Sequence, residues 1–503
     1  MRRNIDRRSF LHRAAAGAGA LALPAGLRAA AGDAAGGAAA GRRPNIVVIM
    51  VDDMGFSDIG GYGGEIATPN IDRLAAGGLR FTQFYNNAKC EPSRASLFTA
   101  NYPGWQDRSQ CLSWGTAMKA AGYRTYRVGK VHETGGGFDR ACTMGPCASY
   151  WDLTVEGKTA RGGLKIDGVE QPDFLATHPD FYTTDTFTDY ALKYLEEGRD
   201  DAKPFFLYVA YNAPHYPLHA RPADIDRYRG TYMDGWDALR ERRYARQQEL
   251  GLFDKPPALS PRDEQVPAWD SLPRDEQRRQ DAAMAVYAAM IDRVDRNIGR
   301  LMEKIAALGQ ADNTLVLFLS DNGGCHQTGA GTPPGSDPGP RGTWHFVGRN
   351  WANASNTPFR KFKTWDHEGG ISTPLIANWP GRIRAGTFDR DWGNIMDIPA
   401  TCVDLAGEPN AKVGGLSLAP AFDGRKRDLH ASLCWAILKG KAARKGDWKV
   451  VRHGDEPWRL FNVAEDRAEL HDLAAAEPAR LRELAALWDD WSDKCRYIGE
   501  DMP

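Results

Sequence analysis

The chain has 503 residues, of which 42% are hydrophobic, 10% aromatic and 26% charged, a composition typical of a soluble globular protein with a sizeable core. Its 64 Lys and Arg nearly balance 65 Asp and Glu, so no overall attraction to nucleic acid is expected. Beyond the N-terminal segment, no stretch offers the roughly eighteen uninterrupted apolar residues of a membrane span, and no stable membrane insertion is expected. The length suits one large domain or two to three ordinary ones.

The first 31 residues have the pattern of an export signal. Arg7 and Arg8 precede an apolar run rich in Ala, Gly and Leu, and small residues suited to cleavage follow Arg28. This predicts a twin-arginine signal over residues 1–31, recognised by the twin-arginine translocon, and a periplasmic or secreted mature protein. A chance arginine pair ahead of an amphipathic helix is the alternative. Residues 32–43 form an Ala/Gly-rich linker.

Apolar runs and amphipathic segments alternate over residues 44–400, the predicted main domain. Three unbroken apolar runs predict parallel strands that are buried on both faces: residues 46–51, 205–210 and 314–319. Helices are predicted at residues 71–76, 112–121, 187–196 and 280–307. The alternation predicts an α/β fold with a large, mostly parallel, doubly wound sheet between helices.

The composition changes after about residue 400, where a small α+β subdomain is predicted over residues 401–503. Residues 447–452 and 458–463 have the pattern of short strands in an antiparallel hairpin, and a final helix is predicted over about residues 478–495. Before this subdomain, residues 329–357 are rich in Gly, Pro and Asn and predict a long loop.

The eight cysteines are compatible with disulfides in an exported protein, although their connectivity cannot be deduced from spacing. Cys142 with Cys147, and Cys402 with Cys434, are the candidate pairs. The spacings match no familiar four-ligand zinc pattern, so a zinc site is not favoured.

Polar pairs follow two of the predicted buried strands. Asp52 and Asp53 come directly after the first strand, and Asp321 and Asn322 follow the third. Neighbouring carboxylates repel each other unless a cation lies between them, and an all-oxygen ligand set suits Ca²⁺ or Mg²⁺ better than zinc. Capping of the helices that follow is the alternative.

Cys90 begins the sequence Cys-Glu-Pro-Ser-Arg, followed by Leu97 and Thr99. The alternative to a functional role is a buried or disulfide-bonded cysteine beside a turn-forming proline. Further characteristic segments occur in order along the chain: residues 44–53 (PNIVVIMVDD), 68–74 (TPNIDRL), 121–132 (AGYRTYRVGKVH), 213–215 (APH), 320–323 (SDNG) and 356–374 (NTPFRKFKTWDHEGGISTP). With these segments, nearly everything from Pro44 onwards resembles the formylglycine-dependent sulfatases of the alkaline phosphatase superfamily, arylsulfatases in particular.

This resemblance implies an alkaline-phosphatase-like sheet and a sulfuric ester hydrolase. It implies that Asp52, Asp53, Asp321 and Asn322 bind a metal ion, with Ca²⁺ expected and Mg²⁺ as the alternative. It also implies that a formylglycine-generating enzyme converts Cys90 to Cα-formylglycine, whose hydrate is the nucleophile that forms a sulfo-enzyme intermediate. Because the twin-arginine route carries folded proteins, this modification would precede export.

The resemblance assigns roles to further residues of the site. Arg94 steadies the formylglycine, while Lys130 and Lys363 neutralise the sulfate oxygens. Asp321 accepts the proton of the attacking hydroxyl. Two histidines complete the set: His215, with Lys363, assists the leaving alcohol, and His132 takes the proton of the second hydroxyl. Taken singly, these residues could also be surface lysines and ordinary core histidines.

The chain departs from the usual pattern at several positions. Residues 99–101 are Thr-Ala-Asn instead of Thr-Gly-Arg, Val131 stands where tryptophan is usual, and residues 102–111 lack the usual histidine. These changes spare the charged groups and bear on the substrate, which the sequence leaves open among aryl, carbohydrate and steroid-like sulfates. The alternatives are a phosphonate or phosphodiester hydrolase of the same superfamily and a non-catalytic sulfoglycan-binding relative.

Overall fold

The computed structural model describes residues 43–495, except residues 133–135, 146–149, 153, 156–157, 160–162, 330 and 409–410. The predicted signal over residues 1–31, and all of the linker but its last residue, lie outside the described residues. Of the helices that are described, none is long and apolar enough to cross a membrane.

Strands and helices alternate along most of the described chain. The strands are β1 (Asn45–Val51), β2 (Leu79–Tyr85), β3 (Arg124–Lys130), β4 (Arg140–Met144), β5 (Thr154–Val155), β6 (Lys158–Thr159), β7 (Leu164–Ile166), β8 (Val169–Glu170), β9 (Phe205–Ala210), β10 (Thr314–Ser320), β11 (Ser372–Asn378), β12 (Thr387–Asp389), β13 (Gly393–Asn394), β14 (Leu433–Ile437), β15 (Gly440–Lys445), β16 (Trp448–His453) and β17 (Arg459–Asn462). The helices are α1 (Pro69–Ala76), α2 (Cys90–Thr99), α3 (Trp114–Ala120), α4 (Phe174–Thr177), α5 (Thr183–Glu197), α6 (Pro222–Ile225), α7 (Gly235–Glu249), α8 (Arg274–Ala307), α9 (Gly348–Ser355), α10 (Glu368–Ile371), α11 (Asp397–Leu405), α12 (Ala419–Phe422) and α13 (Pro478–Ser492). The three predicted buried strands are β1, β9 and β10, and the four predicted helices are α1, α3, α5 and α8.

Eleven of the described strands form one large sheet in the order β12-β2-β11-β10-β1-β9-β3-β4-β7-β8, with β13 also paired to β2. The central strands β10, β1, β9 and β3 are parallel to one another. Antiparallel pairs occur towards both sides, where β11 joins β10 and β7 joins β4. The sheet is therefore mixed and mostly parallel, as the sequence predicted.

Strand β1 shows why this sheet is covered on both faces. All seven of its residues are buried. Val47, Ile49 and Val51 belong to one apolar core with residues of α1, α5 and α8. Ile46, Val48 and Met50 belong to a second core with residues of α2, α3 and α11. Alternate side chains of a strand point to opposite faces, so an unbroken apolar strand requires helices on both sides.

A second sheet lies near the C-terminus and is entirely antiparallel, in the order β14-β15-β16-β17. The predicted hairpin over residues 447–452 and 458–463 corresponds to β16 and β17. The predicted final helix corresponds to α13, which packs against β15 and β16. Together these elements confirm the predicted combination of a large α/β sheet and a small antiparallel one.

Two expectations from the sequence are wrong. Residues 329–357 are not a continuous loop, because they contain α9. The Trp351 indole on this helix is fully buried against Trp236 and Trp269, and this aromatic packing stabilises a helix in a segment whose composition predicts a loop.

The second wrong expectation is the disulfide between Cys402 and Cys434, since both are free thiols. Cys402 packs in the core of the large sheet and Cys434 in that of the C-terminal sheet. Cys147 lies outside the described residues, so its pairing with Cys142 remains a prediction.

Candidate active site

The candidate residues come together at the carboxyl-terminal edge of the large sheet. Asp52 follows β1, Asp321 follows β10, and His215 lies five residues after the end of β9. Lys130 is the last residue of β3. Because these neighbouring strands are parallel, they all end at one edge, which is where open α/β sheets place their ligands.

Three carboxylates and one amide form the centre of the site. Asp52, Asp53 and Asp321 are buried, with at most 1% of each residue exposed. Asn322 Nδ2 donates to Asp53 Oδ1 at 2.8 Å, and the backbone N–H of Asp53 donates to Asp321 Oδ1 at 3.3 Å. Asp53 has a φ of 68°, a left-handed conformation that Asp tolerates better than most residues. In a regular strand, the side chains of Asp52 and Asp53 would point to opposite faces of the sheet. The left-handed turn at Asp53 interrupts this alternation, so both side chains face the centre of the site.

The oxygens of this cluster fit a divalent cation. Within the described part of the chain, Asp52 Oδ1, Asp53 Oδ2 and Asn322 Oδ1 are buried and have no hydrogen-bond partner. A buried acceptor without a partner costs about 1–3 kcal/mol, a cost that a bound cation would remove. Oxygen ligands of this kind suit Ca²⁺ or Mg²⁺. Asp52, Asp53 and Asn322 thus have free ligand atoms, as the sequence resemblance requires. Both oxygens of Asp321 lie in the same cluster but already accept hydrogen bonds, from Asp53 and Arg94.

Three cationic side chains surround the carboxylates, one beside each. Lys130 Nζ forms an ion pair with Asp52, and Lys363 Nζ lies 2.6 Å from Asp53 Oδ1. Arg94 donates to Asp321 Oδ2 from Nε at 2.9 Å and from Nη2 at 2.7 Å. All three cations are buried. With the carboxylates ionised, these six charges balance.

Cys90 lies beside this cluster, as the first residue of α2. It is a buried free thiol, which excludes the structural-disulfide alternative. Its Sγ and carboxylate oxygens of Asp52 and Asp321 all lie within 4.8 Å of one another. Burial raises the pKa of the thiol, although the charges of Lys130 and Lys363 oppose this shift. The unmodified cysteine is therefore a protonated thiol and a poor nucleophile.

The carboxylates have different proton affinities. Burial raises the pKa of Asp321 to about 7, and the negative charge of Asp52 acts in the same direction. Burial would also raise the pKa of Asp52, but the positive charges around it, that of Lys130 first and that of Arg94 also, outweigh burial and hold that pKa below its ordinary value. Asp321 is therefore the carboxylate suited to accept a proton near neutral pH.

Both histidines are neutral in the resting site. Burial lowers the pKa of His132 to about 2, helped by the charges of Lys130 and Arg94, and His132 Nε2 is buried without a partner among the described residues. Burial lowers the pKa of His215 to about 4, against the charge of Asp53. His215 Nδ1 lies 2.6 Å from the carbonyl of Tyr216. Since a carbonyl only accepts, Nδ1 carries the proton, and Nε2 faces Asp53 Oδ2 at 3.5 Å.

Sequence reasoning missed one residue that shapes this centre. The single O–H of Tyr287 is shared between two acceptors, the backbone carbonyl of Asp53 at 3.1 Å and Asp58 Oδ2 at 2.8 Å, and Asp58 is paired with Arg243. Tyr287 thereby holds the left-handed turn at Asp53. The sequence places Tyr287 only within the predicted helix over residues 280–307, although a buried tyrosine hydroxyl usually has a hydrogen-bond partner.

Residues 44–408 match the sulfatase protein family. An arylsulfatase of Klebsiella aerogenes is 31% identical, over 79% of this chain and 97% of its own length. The N-acetylgalactosamine-6-sulfatase of Homo sapiens is 29% identical, over 78% of this chain and 68% of its own length. The crystal structure of Ps i-CgsB in complex with k-i-k-neocarrahexaose matches with a TM-score of 0.68 and 24% identity, over 92% of this chain and 96% of that one.

The family match covers more than half of the chain and spans the cysteine motif, both acidic pairs and the three clustered cations. The two relatives from Klebsiella aerogenes and Homo sapiens are named as sulfatases, which agrees with a buried cluster of carboxylates and cations beside Cys90. This chain belongs to the sulfatase family.

Proposed function

We propose that the chain is an exported sulfatase that hydrolyses sulfate monoesters with a formylglycine at position 90. The observation that supports this most directly is the position of Cys90, because its Sγ lies within 4.8 Å of carboxylate oxygens of Asp52 and Asp321. The thiol itself is protonated and unsuited to attack. A modification that replaces it would place a nucleophile where the cation and the basic side chains can hold an anion.

A formylglycine and a bound cation would supply two kinds of chemistry. A hydrated formylglycine at position 90 would supply one hydroxyl for attack on sulfur and a second for release of sulfate. A divalent cation held by Asp52, Asp53, Asp321 and Asn322 would neutralise charge on the sulfate oxygens.

The remaining steps fall to side chains of the chain itself. Lys130 and Lys363 are buried cations that can bind sulfate oxygens and oppose the charge that develops during transfer. Asp321, with its raised pKa, can accept the proton of the attacking hydroxyl. His132 is neutral and has a free Nε2, so it can take the proton of the second hydroxyl. Lys363 is protonated and can stabilise the leaving oxygen or donate a proton to it. His215 Nε2 carries no proton in the resting site, so His215 can protonate the leaving oxygen only after Nε2 has taken up a proton.

We further propose that the natural substrate is a sulfated saccharide. Two relatives named above support this class, since one is named an N-acetylgalactosamine-6-sulfatase and another was crystallised with a neocarrahexaose. Export through the twin-arginine translocon, after action of a formylglycine-generating enzyme, rests on Arg7 and Arg8 and on the cysteine motif. Replacing both arginines with lysine should retain the protein in the cytoplasm, as cell fractionation would show.

Mass spectrometry of the tryptic peptide over residues 90–94, from protein made in its natural host, tests the central proposal. The expected peptide carries an aldehyde that reacts with a hydrazide probe and has lost its sulfur. Active protein that contains only unmodified cysteine would contradict the mechanism. Parallel assays with nitrophenyl sulfate and a nitrophenyl phosphonate ester would show whether the phosphonate-hydrolase alternative is correct. A folded, formylglycine-containing protein that binds sulfated glycans without cleaving them would favour the non-catalytic alternative.

A further inference from the structure

A cavity of about 470 Å³ is lined by His326, Thr364, Trp365, Leu438, Lys439 and His453. Its volume lies within the range of roughly 300–1,000 Å³ typical of ligand pockets. None of these residues has a role in the chemistry proposed above. Two of them come from a turn of the C-terminal sheet, which is otherwise separate from the catalytic centre.

The cavity is tied to the catalytic centre by short backbone connections. Thr364 and Trp365 directly follow Lys363, and His326 follows Asn322 by four residues. The backbone N–H of Lys363 donates to the carbonyl of Gly324 at 3.1 Å, and that of Thr364 donates to the carbonyl of Ala88 at 2.7 Å. The segment that lines the cavity is therefore held against the two segments that carry Asn322 and Cys90.

One wall of the cavity is aromatic and preorganised. The His453 ring stacks on the Trp365 indole, with ring centroids 4.0 Å apart and an angle of 17° between the planes. Lys361 Nζ lies 4.8 Å from the centroid of the same indole and is paired with Asp263 at 2.8 Å. These contacts fix the wall before any ligand binds, which lowers the entropic cost of binding.

A second part of the lining is the two-residue turn between β14 and β15. Ile437 pairs with Gly440, so Leu438 and Lys439 form the whole turn. Gly440, which directly follows the turn, packs closely against Asp366, the residue after Trp365. A Cβ added at Gly440 would lie only 2.6 Å from Asp366 Oδ2. Gly440 is also the cross-strand partner of His453. The turn and the aromatic wall thus belong to one packed unit.

Leu438 is unusual in two independent respects. Its φ is +50°, at the first central position of a hairpin turn, where glycine is favoured. Its side chain is 38% exposed, and among the large apolar side chains of the described residues only Val169 is also exposed. A bulky residue in a left-handed conformation is strained, and such strain concentrates at ligand-binding positions. Leucine at this position does not stabilise the turn, because its φ is positive, and does not stabilise the apolar core, because its side chain is exposed.

Lys439 presents a free positive charge at the same place. It is exposed, and no ion-pair partner for it is found among the described residues. A cavity with an aromatic wall, an exposed leucine and an unpaired ammonium matches a ring with an apolar face and an acidic substituent. An acidic sugar has this chemistry.

We infer that the Leu438–Lys439 turn is a specificity element: the cavity binds the sugar residue next to the sulfated one, with Leu438 against its apolar face and Lys439 on an acidic substituent. The inference rests on the proposed function, since it assigns a substrate subsite to that activity. It predicts that substrates extending beyond the ester group depend on this turn, whereas a small aryl sulfate does not.

The test uses formylglycine-containing enzyme and two ligands. Nitrophenyl sulfate reports on the sulfate site alone. A disaccharide in which a uronic acid is joined to 6-sulfated N-acetylgalactosamine serves as a competitive inhibitor of nitrophenyl sulfate hydrolysis, so its Ki is measurable whether or not it is cleaved. N-acetylgalactosamine 6-sulfate, which lacks the neighbouring sugar, is the comparison ligand.

The variants are Leu438→Gly and Lys439→Ala, with Val169→Ala and Lys445→Ala as matched exposed controls. Leu438→Gly should raise the Ki of the disaccharide about tenfold, the effect of a lost apolar contact, while its Tm stays the same or rises because glycine tolerates a positive φ. Lys439→Ala should raise that Ki about threefold at low ionic strength, and less at high salt. Neither variant should change kcat/KM for nitrophenyl sulfate or the Ki of the monosaccharide, and the controls should match the wild type.

An unchanged disaccharide Ki in both variants, or no inhibition of the wild type by the disaccharide, would overturn the subsite and leave the sulfatase proposal intact. If kcat/KM for nitrophenyl sulfate fell in these variants by the same factor as the disaccharide affinity, the subsite would also be overturned. The turn would then act on the sulfate site that both ligands share. If the wild-type enzyme fails to hydrolyse nitrophenyl sulfate at all, the proposed function itself fails, which is a different result from any of these.

Discussion

Arg94 donates two hydrogen bonds to a single oxygen of Asp321, from Nε at 2.9 Å and from Nη2 at 2.7 Å. Both side chains are almost completely buried. Arg94 Nη1 is buried as well and has no hydrogen-bond partner among the described residues. Arg94 therefore fixes Asp321 directly and keeps one donor free beside position 90, where the sequence resemblance gave it the role of steadying the formylglycine.

Removing Arg94 should destabilise the fold because it leaves a buried carboxylate without its strongest partner. We expect Arg94→Met to lower the free energy of unfolding by about 3–5 kcal/mol, measured by urea denaturation at neutral pH. The double variant Arg94→Met/Asp321→Asn should recover much of this loss, since it removes the unpaired charge. A double variant as unstable as the single one would show that Arg94 acts through packing instead.

Metal binding should depend on pH through Asp321. Without a bound cation, burial and the charge of Asp52 raise the pKa of Asp321 to about 7. Below that pH the carboxyl holds a proton that the ion must displace, so affinity for Ca²⁺ should fall as the pH drops below about 7 and level off above it. Isothermal titration calorimetry in two buffers with different ionisation enthalpies would count the protons released. Asp321→Asn should abolish the proton release, and an unchanged count would exclude Asp321 as a ligand.

His132→Ala should slow the release of sulfate more than the release of the phenol. His132 is neutral, and its free Nε2 is the proposed acceptor of the second hydroxyl's proton. Loss of a general base typically costs about 10²–10⁴-fold in rate. Rapid-mixing assays with nitrophenyl sulfate should therefore show a burst of nitrophenol followed by a slow steady state. If the release of nitrophenol slowed as much as the release of sulfate, and no burst appeared, His132 would act in a step before the release of sulfate.

His215→Ala should discriminate between leaving groups. His215 Nε2 faces the site, and its proposed role is to assist the departing oxygen. An alkyl sulfate has a leaving alcohol of high pKa and should lose about 10²–10⁴-fold in kcat, whereas nitrophenyl sulfate should lose much less. Measuring kcat over a series of substituted phenyl and alkyl sulfates would give a steeper dependence on leaving-group pKa in the variant. An unchanged slope would contradict the assignment.

A buried ion network should stabilise the junction between the C-terminal sheet and the loop that carries Lys363. Lys449 Nζ on β16 lies 3.0 Å from Glu368 Oε1 and 2.9 Å from Glu469 Oε1, and all three residues are fully buried. We expect Lys449→Met to lower the free energy of unfolding by about 3–5 kcal/mol, because it leaves buried carboxylates short of a partner.

The control for this network is Lys445→Met, on the neighbouring strand β15. Lys445 forms an exposed pair with Glu483, so no resolvable change in urea denaturation is expected. Equal effects of the two substitutions would show that the buried network does not carry the stability of the junction.

Much of the fold could be predicted because its signals are local. The unbroken apolar run of β1 requires cover on both faces, and the polar pairs at Asp52 and Asp321 mark strand ends where ligands bind. The helix α9 could not be predicted, because it depends on the packing of Trp351 against tryptophans more than eighty residues away in the chain. The absence of a Cys402–Cys434 disulfide has the same origin, since the two cysteines belong to different cores.

The sequence by itself determined which residues are proposed to carry the chemistry, because Cys90, the acidic pairs and the basic residues occur in motifs whose spacing is specific. Only the tertiary structure decided how they are paired. It places Arg94 on Asp321 and Lys363 on Asp53, and it leaves free the oxygens that suit a cation. It also brings the strained Leu438 turn beside Thr364 and Trp365. These relationships join segments far apart in the chain, and no local pattern encodes a contact that exists only when two distant elements pack together.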